Sequence, residues 1–403
     1  MKKVPLGVTI GLMAVTAGAA FLITTRYTVD RVNDKLSALN EKQQLYSILS
    51  EADNFARASY LKDIDEEALV KSLINGYAQG LGDKGAMYLT ADEYKEYSAV
   101  PEGMVEGLGF DFEKDKNGYI KVRSVEAGGA AEEAGITEGD MIAAVNNTDV
   151  IAFEGGYDEA VSLLSCTAGT RVSLYVKRTD EYGTNFIDYD VVAKLSEHIT
   201  VTHTLAEDVG FIRIKEITAK TEKQLSEAIA NSVAEGAEKL VFDVRDLSFN
   251  DTETLRLCLD HIIGAEDTVF TVDKDGNREV MISCTEAEQI KMPMAVLINE
   301  RTEGCAELFA AALKDLAGAK LVGTPTAGSG TYRKPFVCSD GSVLLISTAY
   351  VCTPETGIFD GKGLIPDTEV IFPSDLDMSK MPDIDAQFYD TQFIKAMEVL
   401  ENN

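Results

Sequence analysis

The chain has 403 residues, 45% of them hydrophobic, which is enough for two or three globular domains with sizeable cores. Asp and Glu outnumber Lys and Arg by 67 to 37, so the formal net charge is −30. This excess argues against binding to nucleic acid and against docking on anionic lipid, because both need a basic surface. We therefore expect an acidic, water-facing surface and no nucleic-acid partner.

The first predicted element is an uncharged segment of 22 residues, Val4–Thr25, which follows Lys2 and Lys3. As a helix with a rise of about 1.5 Å per residue it would span roughly 30 Å, the thickness of a bilayer core. The lysines before it favour a cytoplasmic N-terminus. Residues 1–26 are thus predicted to be a cytoplasmic tip and a transmembrane anchor of a single-pass protein whose body is exported. A cleaved signal peptide is the alternative.

Residues 27–100 are predicted to be a helical stalk, because their apolar residues recur at helical spacing. Thr90 and Glu93 form a capping-box pattern, which predicts a short helix over Ala91–Ser98. The sequence Pro-Glu-Gly that begins at Pro101 then marks a domain boundary.

Short strands and glycine turns replace the helical pattern over residues 101–195. Three motifs stand in order: Gly107-Leu108-Gly109-Phe110, Ala134-Gly-Ile-x-x-Gly-Asp-x-Ile-x-x-Val-Asn, and Gly169-Thr-x-Val. Together they resemble a PDZ domain with a helix over Ala160–Ser165. The resemblance implies that backbone N–H groups of the loop Gly107–Phe110 hold the terminal carboxylate of a peptide, whose backbone pairs with the following strand. A PDZ fold used only as an internal lid is the alternative.

Strands alternate with helices over residues 196–375, which predicts βαβ units. The predicted strands include Val209–Ile214 and Val343–Tyr350, and the predicted helices include Thr221–Glu235 and Thr252–Ile263. The most informative stretch reads as a strand, a turn, a helix, a second strand and a Gly/Thr loop: Ala295–Asn299, Glu300–Gly304, Cys305–Leu316, Lys320–Gly323 and Thr324–Thr331. A turn from a strand into a helix N-terminus is a frequent place for a catalytic nucleophile, because unpaired N–H groups there stabilise an anion. Residues 376–403 are predicted to be a polar tail with a short helix.

The chain beyond the anchor resembles the carboxyl-terminal processing peptidases, which are Ser-Lys peptidases with a PDZ domain beside an α/β core. The resemblance covers about Leu69 to Val370. Besides the PDZ motifs it rests on segments that follow the order of the family: Leu240-Val-Phe-Asp-Val-Arg, Ala306-Glu-Leu-Phe-Ala-Ala-Ala-Leu-Lys-Asp, Val322-Gly-Thr-Pro-Thr-Ala-Gly and Gly361-Lys-Gly-Leu-Ile-Pro-Asp. It implies an α/β fold with a ClpP/crotonase-like βαβ core, an inserted β-rich PDZ domain and the N-terminal transmembrane helix.

The positions that carry catalysis in that family hold other residues here. The nucleophile turn S-A-S-A-S-E aligns with Thr302–Glu307, which puts Gly304 at the nucleophile position. The lysine position is Ser329, the position of the supporting glutamine is Arg333, and the N-P-G-G loop is replaced by Asp246–Asp251. Gly304 has no atom that can attack, and Ser329 cannot serve as the base.

These substitutions predict a non-catalytic homologue that binds polypeptide C-termini or unfolded segments through its PDZ domain. One alternative is a weakly active peptidase whose fallback nucleophile is Cys305, at a helix N-terminus that would stabilise a thiolate, with Lys334 or His261 as base. A small buried cysteine is the simpler interpretation of Cys305. Another alternative is an assembly partner of an active relative, or a homo-oligomer. No cysteines stand at C-x-x-C spacing and the three His form no ligand pattern, so we expect no metal or cofactor.

Overall fold

The computed structural model describes residues 24–28, 42–126, 128–180, 183–286, 289–372 and 390–401. It divides into two compact units, residues 1–74 and 75–403. In the first unit residues 24–28 and 42–59 are helical. The predicted anchor Val4–Thr25 falls almost entirely outside the described residues. Of the helices that are described, none combines the length and the apolar character needed to cross a bilayer.

After these two segments, the described α-helices are α1 (Glu66–Gly80), α2 (Ala91–Ser98), α3 (Ala130–Ala134), α4 (Gly156–Ser162), α5 (Thr221–Glu235), α6 (Thr252–Asp260), α7 (Cys305–Ala317) and α8 (Thr391–Glu401). The first strands are β1 (Met87–Leu89), β2 (Met104–Gly107), β3 (Phe110–Lys114), β4 (Ile120–Val125), β5 (Met141–Val145), β6 (Thr148–Asp149), β7 (Arg171–Asp180), β8 (Gly183–Val192), β9 (Lys194–Glu197), β10 (Val201–Ala206) and β11 (Val209–Ile214). The later strands are β12 (Lys239–Asp243), β13 (Ser248–Phe249), β14 (Asp267–Asp273), β15 (Arg278–Ser283), β16 (Met294–Ile298), β17 (Glu303–Gly304), β18 (Lys320–Gly323), β19 (Thr331–Val337), β20 (Val343–Thr353), β21 (Gly357–Ile358) and β22 (Thr368–Glu369).

The capping box predicted for α2 is present: Thr90 accepts the Glu93 N–H, and the Glu93 side chain accepts the Thr90 N–H.

A sheet of order β3-β4-β5-β7-β8 follows, with β6 beside β5 and β3 at one edge. Its helix α4 begins at Gly156 and ends at Ser162, earlier than the predicted Ala160–Ser165. The Glu159 side chain accepts the Gly155 N–H at 2.8 Å and so fixes an earlier start.

The α/β core is a sheet of order β10-β11-β12-β16-β18-β22, parallel except for the edge strand β10. Alternate residues of its strands face opposite layers: Leu240 and Phe242 join the core that includes α5, α6 and α7, whereas Val241 packs in the core that includes α8. The carboxyl ends of parallel strands share one edge of a sheet. The segments after β12, β16 and β18 therefore meet, and these segments carry the predicted catalytic positions.

A second sheet of order β1-β20-β14-β15, with β19 and β21 also on β20, lies within the same unit. The prediction found only part of β20, as Val343–Tyr350, and missed the hairpin β14–β15. Helix α6 ends at Asp260 instead of the predicted Ile263, and in the tighter turn that follows the Ile262 N–H donates to the Leu259 carbonyl three residues back. A bulge between Tyr332 and Arg333 interrupts the pairing of β19 with β20.

Candidate functional site

The turn between β16 and α7 holds a backbone conformation that favours glycine. Gly304 has φ 66° and ψ −121°, and the next residue, Cys305, begins α7. The buried Thr302 hydroxyl donates to the Val244 carbonyl at 3.0 Å, and the Glu303 N–H donates to the Leu247 carbonyl at 3.0 Å. A sharp strand-to-helix turn of this kind can project a nucleophile, so the backbone geometry of such a site is present.

The space for a side chain at this turn is filled by the preceding loop. Strand β13 pairs with β17 in parallel, and this pairing brings Phe249 next to Gly304. A Cβ atom built on Gly304 would lie 2.6 Å from the Phe249 carbonyl oxygen and 3.0 Å from Asn250 Oδ1. A carbonyl oxygen repels a developing oxyanion, which N–H donors would stabilise. The segment that replaces the N-P-G-G loop therefore obstructs the nucleophile position.

Ser329 lies beside this turn. Its hydroxyl donates to Glu303 Oε1 at 2.7 Å, and its N–H donates to Glu307 Oε2 at 2.8 Å. Gly304, Ser329 and Arg333 together line one cleft of about 450 Å³. The described residues that line it include no lysine, so no amine stands ready to accept a proton from a nucleophile.

The buried carboxylate of Glu307 joins the turn to the loop. It accepts the N–H groups of Gly304, Gly328 and Ser329 at 3.1, 2.8 and 2.8 Å, and it also accepts the Thr326 hydroxyl. Its exposed fraction is 0%. Sequence reasoning gave this residue no role. The signal was a single acidic residue in the otherwise apolar segment C-A-E-L-F-A-A-A-L, at the third helical position, where a carboxylate reaches back to the N-terminal N–H groups.

The fallback nucleophile Cys305 is a protonated, buried thiol. Its exposed fraction is 5%, and burial, with a smaller contribution from Asp251, raises its pKa to about 12 while Arg333 opposes the shift. The expectation that the helix N-terminus stabilises its thiolate is therefore wrong, because desolvation outweighs the helix dipole. Neither proposed base lines the cleft: Lys334 lies 5.8 Å from the Phe336 ring, and His261 pairs with Glu222.

Arg333 enters the cleft from β19, where the bulge changes the direction of the strand. Its Nη2 donates to Asn250 Oδ1 at 2.7 Å. Arg333 is also part of the wall of a neighbouring polar cavity of about 810 Å³. Asp251, the acidic residue in the cleft wall, caps α6 by accepting the Thr254 N–H at 2.9 Å. The remaining wall is largely apolar and includes Ile217, Phe249, Met281, Leu308 and Leu345.

The loop Gly107–Phe110 borders a cavity of about 460 Å³ between the edge strand β3 and the segment after α4. The Leu108 carbonyl accepts the Ala131 N–H at 2.7 Å, and the Gly109 carbonyl accepts the Glu126 N–H at 2.9 Å. In a trans peptide the next N–H points the opposite way, so the N–H groups of Gly109 and Phe110 turn away from these partners. Backbone donors thus face the free edge, as in a peptide-binding loop.

Two known families match separate parts of the chain, one the α/β core and the other the domain of short strands before it. Residues 208–370 match the model of peptidase family S41, and residues 121–178 match the model of a PDZ domain. The "Probable CtpA-like serine protease" of Staphylococcus aureus (strain COL) is 29% identical over 358 residues, which are 87% of this chain and 70% of the relative. The "Carboxy-terminal processing protease CtpA" of Bacillus subtilis (strain 168) is 28% identical over 340 residues, 84% of this chain and 71% of the relative.

The chain thus has an S41 peptidase segment and a PDZ domain, and it is similar to C-terminal processing peptidases. A crystal structure of a Bacteroides fragilis protein assigned as an S41 protease has the same fold, with a TM-score of 0.50 and 15% identity over 85% of this chain and 91% of the other. Gly304, Cys305, Ser329 and Arg333 all lie inside the matched S41 segment. The loop Gly107–Phe110 precedes the matched PDZ segment.

Proposed function

We propose that this chain is a non-catalytic member of the C-terminal processing peptidase family that binds polypeptide C-termini. The observation that carries the proposal is the cleft at Gly304. It brings together the nucleophile and base positions of the family, and neither holds a group that can do the chemistry. Loss of either member of such a pair alone costs several orders of magnitude in rate.

The geometry around Gly304 strengthens this argument beyond the two substitutions. The Phe249 carbonyl oxygen occupies the space of a nucleophile side chain, so the loop has closed over the position. The buried thiol of Cys305 offers no substitute at neutral pH, since its pKa is raised to about 12. Weak activity through Cys305 is therefore the less favoured function.

Binding is assigned to the PDZ domain because its recognition chemistry uses backbone groups. The N–H groups of Gly109 and Phe110 point away from the partners of the preceding carbonyls, and β3 is an edge strand that can accept one more strand. An extended peptide would add to β3, with its terminal carboxylate at the loop Gly107–Phe110.

The proposal includes the predicted anchor Val4–Thr25, with the body on the far side of the membrane from Lys2 and Lys3. Protease protection of inverted and right-side-out vesicles tests this placement. Digestion of the body only from the extracytoplasmic side is expected. Release of the chain from the membrane by alkaline carbonate would contradict an uncleaved anchor.

Cleavage and binding are tested separately on the full-length chain. With casein and a labelled peptide as substrates, we expect no fragments beyond those in a protein-free control, for the wild type and for Cys305→Ala alike. Turnover in the wild type would contradict the proposal, and its loss in Cys305→Ala would assign the nucleophile. In a titration with peptides that end in apolar residues, the free acid is expected to bind and its C-terminal amide to bind at least about tenfold more weakly.

A further inference from the structure

Within the part of the chain that the structure describes, Arg333 is a cation without an acidic partner. Among the described residues no carboxylate lies within ion-pair distance of its guanidinium, and its one hydrogen bond goes to the neutral amide oxygen of Asn250. The charge of Arg333 favours the ionised form of Asp83. The Asp83 carboxylate, however, accepts hydrogen bonds from the N–H and hydroxyl of Ser347 at 2.7 and 2.9 Å and from the Gly85 N–H at 2.9 Å. In a chain of net charge −30, such an arginine marks a place for an external anion.

The surroundings of Arg333 define the rest of that ligand. The cleft of about 450 Å³ lies in the range of small-ligand pockets, roughly 300–1,000 Å³. Arg333 is the one basic residue among the described residues of its wall, and aromatic and aliphatic side chains form most of the remainder. A ligand that fits this wall carries a carboxylate next to apolar groups. The guanidinium fork binds a carboxylate through two parallel hydrogen bonds.

The position of Arg333 is fixed by the fold. The bulge on β19 directs its side chain into the cleft, and Asn250, from the loop that covers Gly304, orients the guanidinium from the other side. A Cβ atom built on Gly85 would lie 2.9 Å from Arg333 Cδ, so a glycine leaves room for the aliphatic part of the side chain. Three separate segments thus place one charge at the former catalytic position.

We propose that the cleft at Gly304 is a second binding site, in which Arg333 holds the terminal carboxylate of a polypeptide whose last residues are apolar. The last residues of the bound polypeptide lie beside the nucleophile position of the family, and the polypeptide stays whole because no nucleophile is present. This inference rests on the proposed absence of cleavage. A fatty acid could supply the same carboxylate and apolar groups, and the experiment below separates the two sources.

The test uses the full-length chain and an octapeptide that ends in Ala-Leu-Val, with a photoreactive benzoylphenylalanine three residues before the end. After irradiation, mass spectrometry maps the cross-linked segments and measures the yield in the cleft and in the PDZ cavity separately. We expect a cleft cross-link that falls about tenfold for the C-terminal amide and about tenfold in Arg333→Gln. Arg333→Lys keeps the charge and should keep part of the yield.

Matched variants separate the guanidinium from general effects. Lys334→Gln removes the same charge from the neighbouring, exposed position of β19 and should leave the cleft yield unchanged. Gly85→Ala keeps Arg333 but displaces its side chain, and we expect an intermediate loss of about threefold. A thermal melt of each variant confirms folding.

The outcomes are distinct. A cleft yield that neither amidation nor Arg333→Gln lowers overturns the inference, as does cross-linking confined to the PDZ cavity. Competition by decanoate at a lower concentration than by the peptide assigns the site to fatty acids and overturns the polypeptide assignment. The mass of the unbound peptide is read in the same samples: fragments overturn the proposed function, whereas an intact peptide without a cleft cross-link overturns only this inference.

Discussion

The PDZ cavity and the cleft at Gly304 have almost equal volumes, about 460 and 450 Å³, but their walls differ in charge. The described wall of the PDZ cavity contains Glu106 and Glu126 and no basic residue. The described wall of the cleft contains Arg333 as its basic residue, and Asp251 there is committed to a helix cap. By charge alone, the cleft at Gly304 offers the less negative environment for a carboxylate.

The two regions also differ in what their chemistry requires. The peptide capture proposed for the loop Gly107–Phe110 would depend on backbone N–H groups, which most side-chain substitutions leave in place. Hydrolysis at residues 304 and 329 depends on two particular side chains and an open oxyanion site. Sequence change can therefore abolish catalysis in a protein of this fold while its capacity to bind polypeptide remains.

The largest expected effect is on the unfolding free energy, and it tests whether Glu307 organises the cleft. Glu307→Ala leaves three buried N–H groups and a hydroxyl without an acceptor, so we expect a loss of about 4 kcal/mol in unfolding free energy. Chemical denaturation measures it. Glu303→Gln is the control, because Glu303 is partly exposed and accepts only from the hydroxyls of Ser329 and Ser248, and it should cost under about 1 kcal/mol. Equal costs would mean that Glu307 does not organise the cleft.

Restoring the family's residues should not restore activity. Gly304→Ser forces a side chain into the positive-φ region and against the Phe249 carbonyl, for which we expect a cost of about 2–4 kcal/mol. Gly318→Ser is the matched control: Gly318 has φ 70° with nothing within 4 Å of a built Cβ, so it should cost about 1 kcal/mol. The double variant Gly304→Ser with Ser329→Lys should show no peptide turnover. Activity in that variant would mean that the loop opens readily.

Thiol reactivity distinguishes a buried cysteine from a nucleophile. With a pKa of about 12, only about one Cys305 thiol in ten thousand is ionised at pH 8, and the fraction rises as the pH approaches 12. We expect iodoacetamide to modify the exposed Cys338 of the native chain within minutes and to leave Cys305 unmodified. Peptide mapping by mass spectrometry measures both sites. Rapid alkylation of Cys305 at pH 7 would contradict this and would support Cys305 as a nucleophile.

The smallest expected effect concerns the charge of the PDZ cavity. Glu106 is exposed at its wall, so Glu106→Gln should raise the affinity for a free C-terminus about twofold at low salt, and the gain should fade as salt rises. Glu102→Gln, which removes an exposed charge that does not line the cavity, should change little. No difference between the two variants would place the bound carboxylate elsewhere.

The sequence was most informative where periodicity and alignment agreed. Strand β11 and helix α5 have the predicted bounds, and Gly304 and Ser329, which the alignment places at the nucleophile and lysine positions, line one cleft. The sequence could not predict that the Phe249 carbonyl oxygen fills the space of a nucleophile side chain. Every residue has a backbone carbonyl, and its direction depends on the fold. Cys305 misled because a helix N-terminus is visible in the sequence, whereas the burial that raises its pKa is not. The role of Glu307 could not be predicted, because its hydrogen-bond partners lie in two loops whose positions depend on the fold.

The most direct test that the chain binds a peptide end without cleaving it is the intact mass of the full-length chain after photo-cross-linking with the octapeptide. The account predicts a mass increase equal to the whole peptide, at a site that includes Leu308 or Leu345 in the cleft wall. An increase equal to a peptide fragment would contradict it, because the chain would then have cut the end that it is proposed to hold.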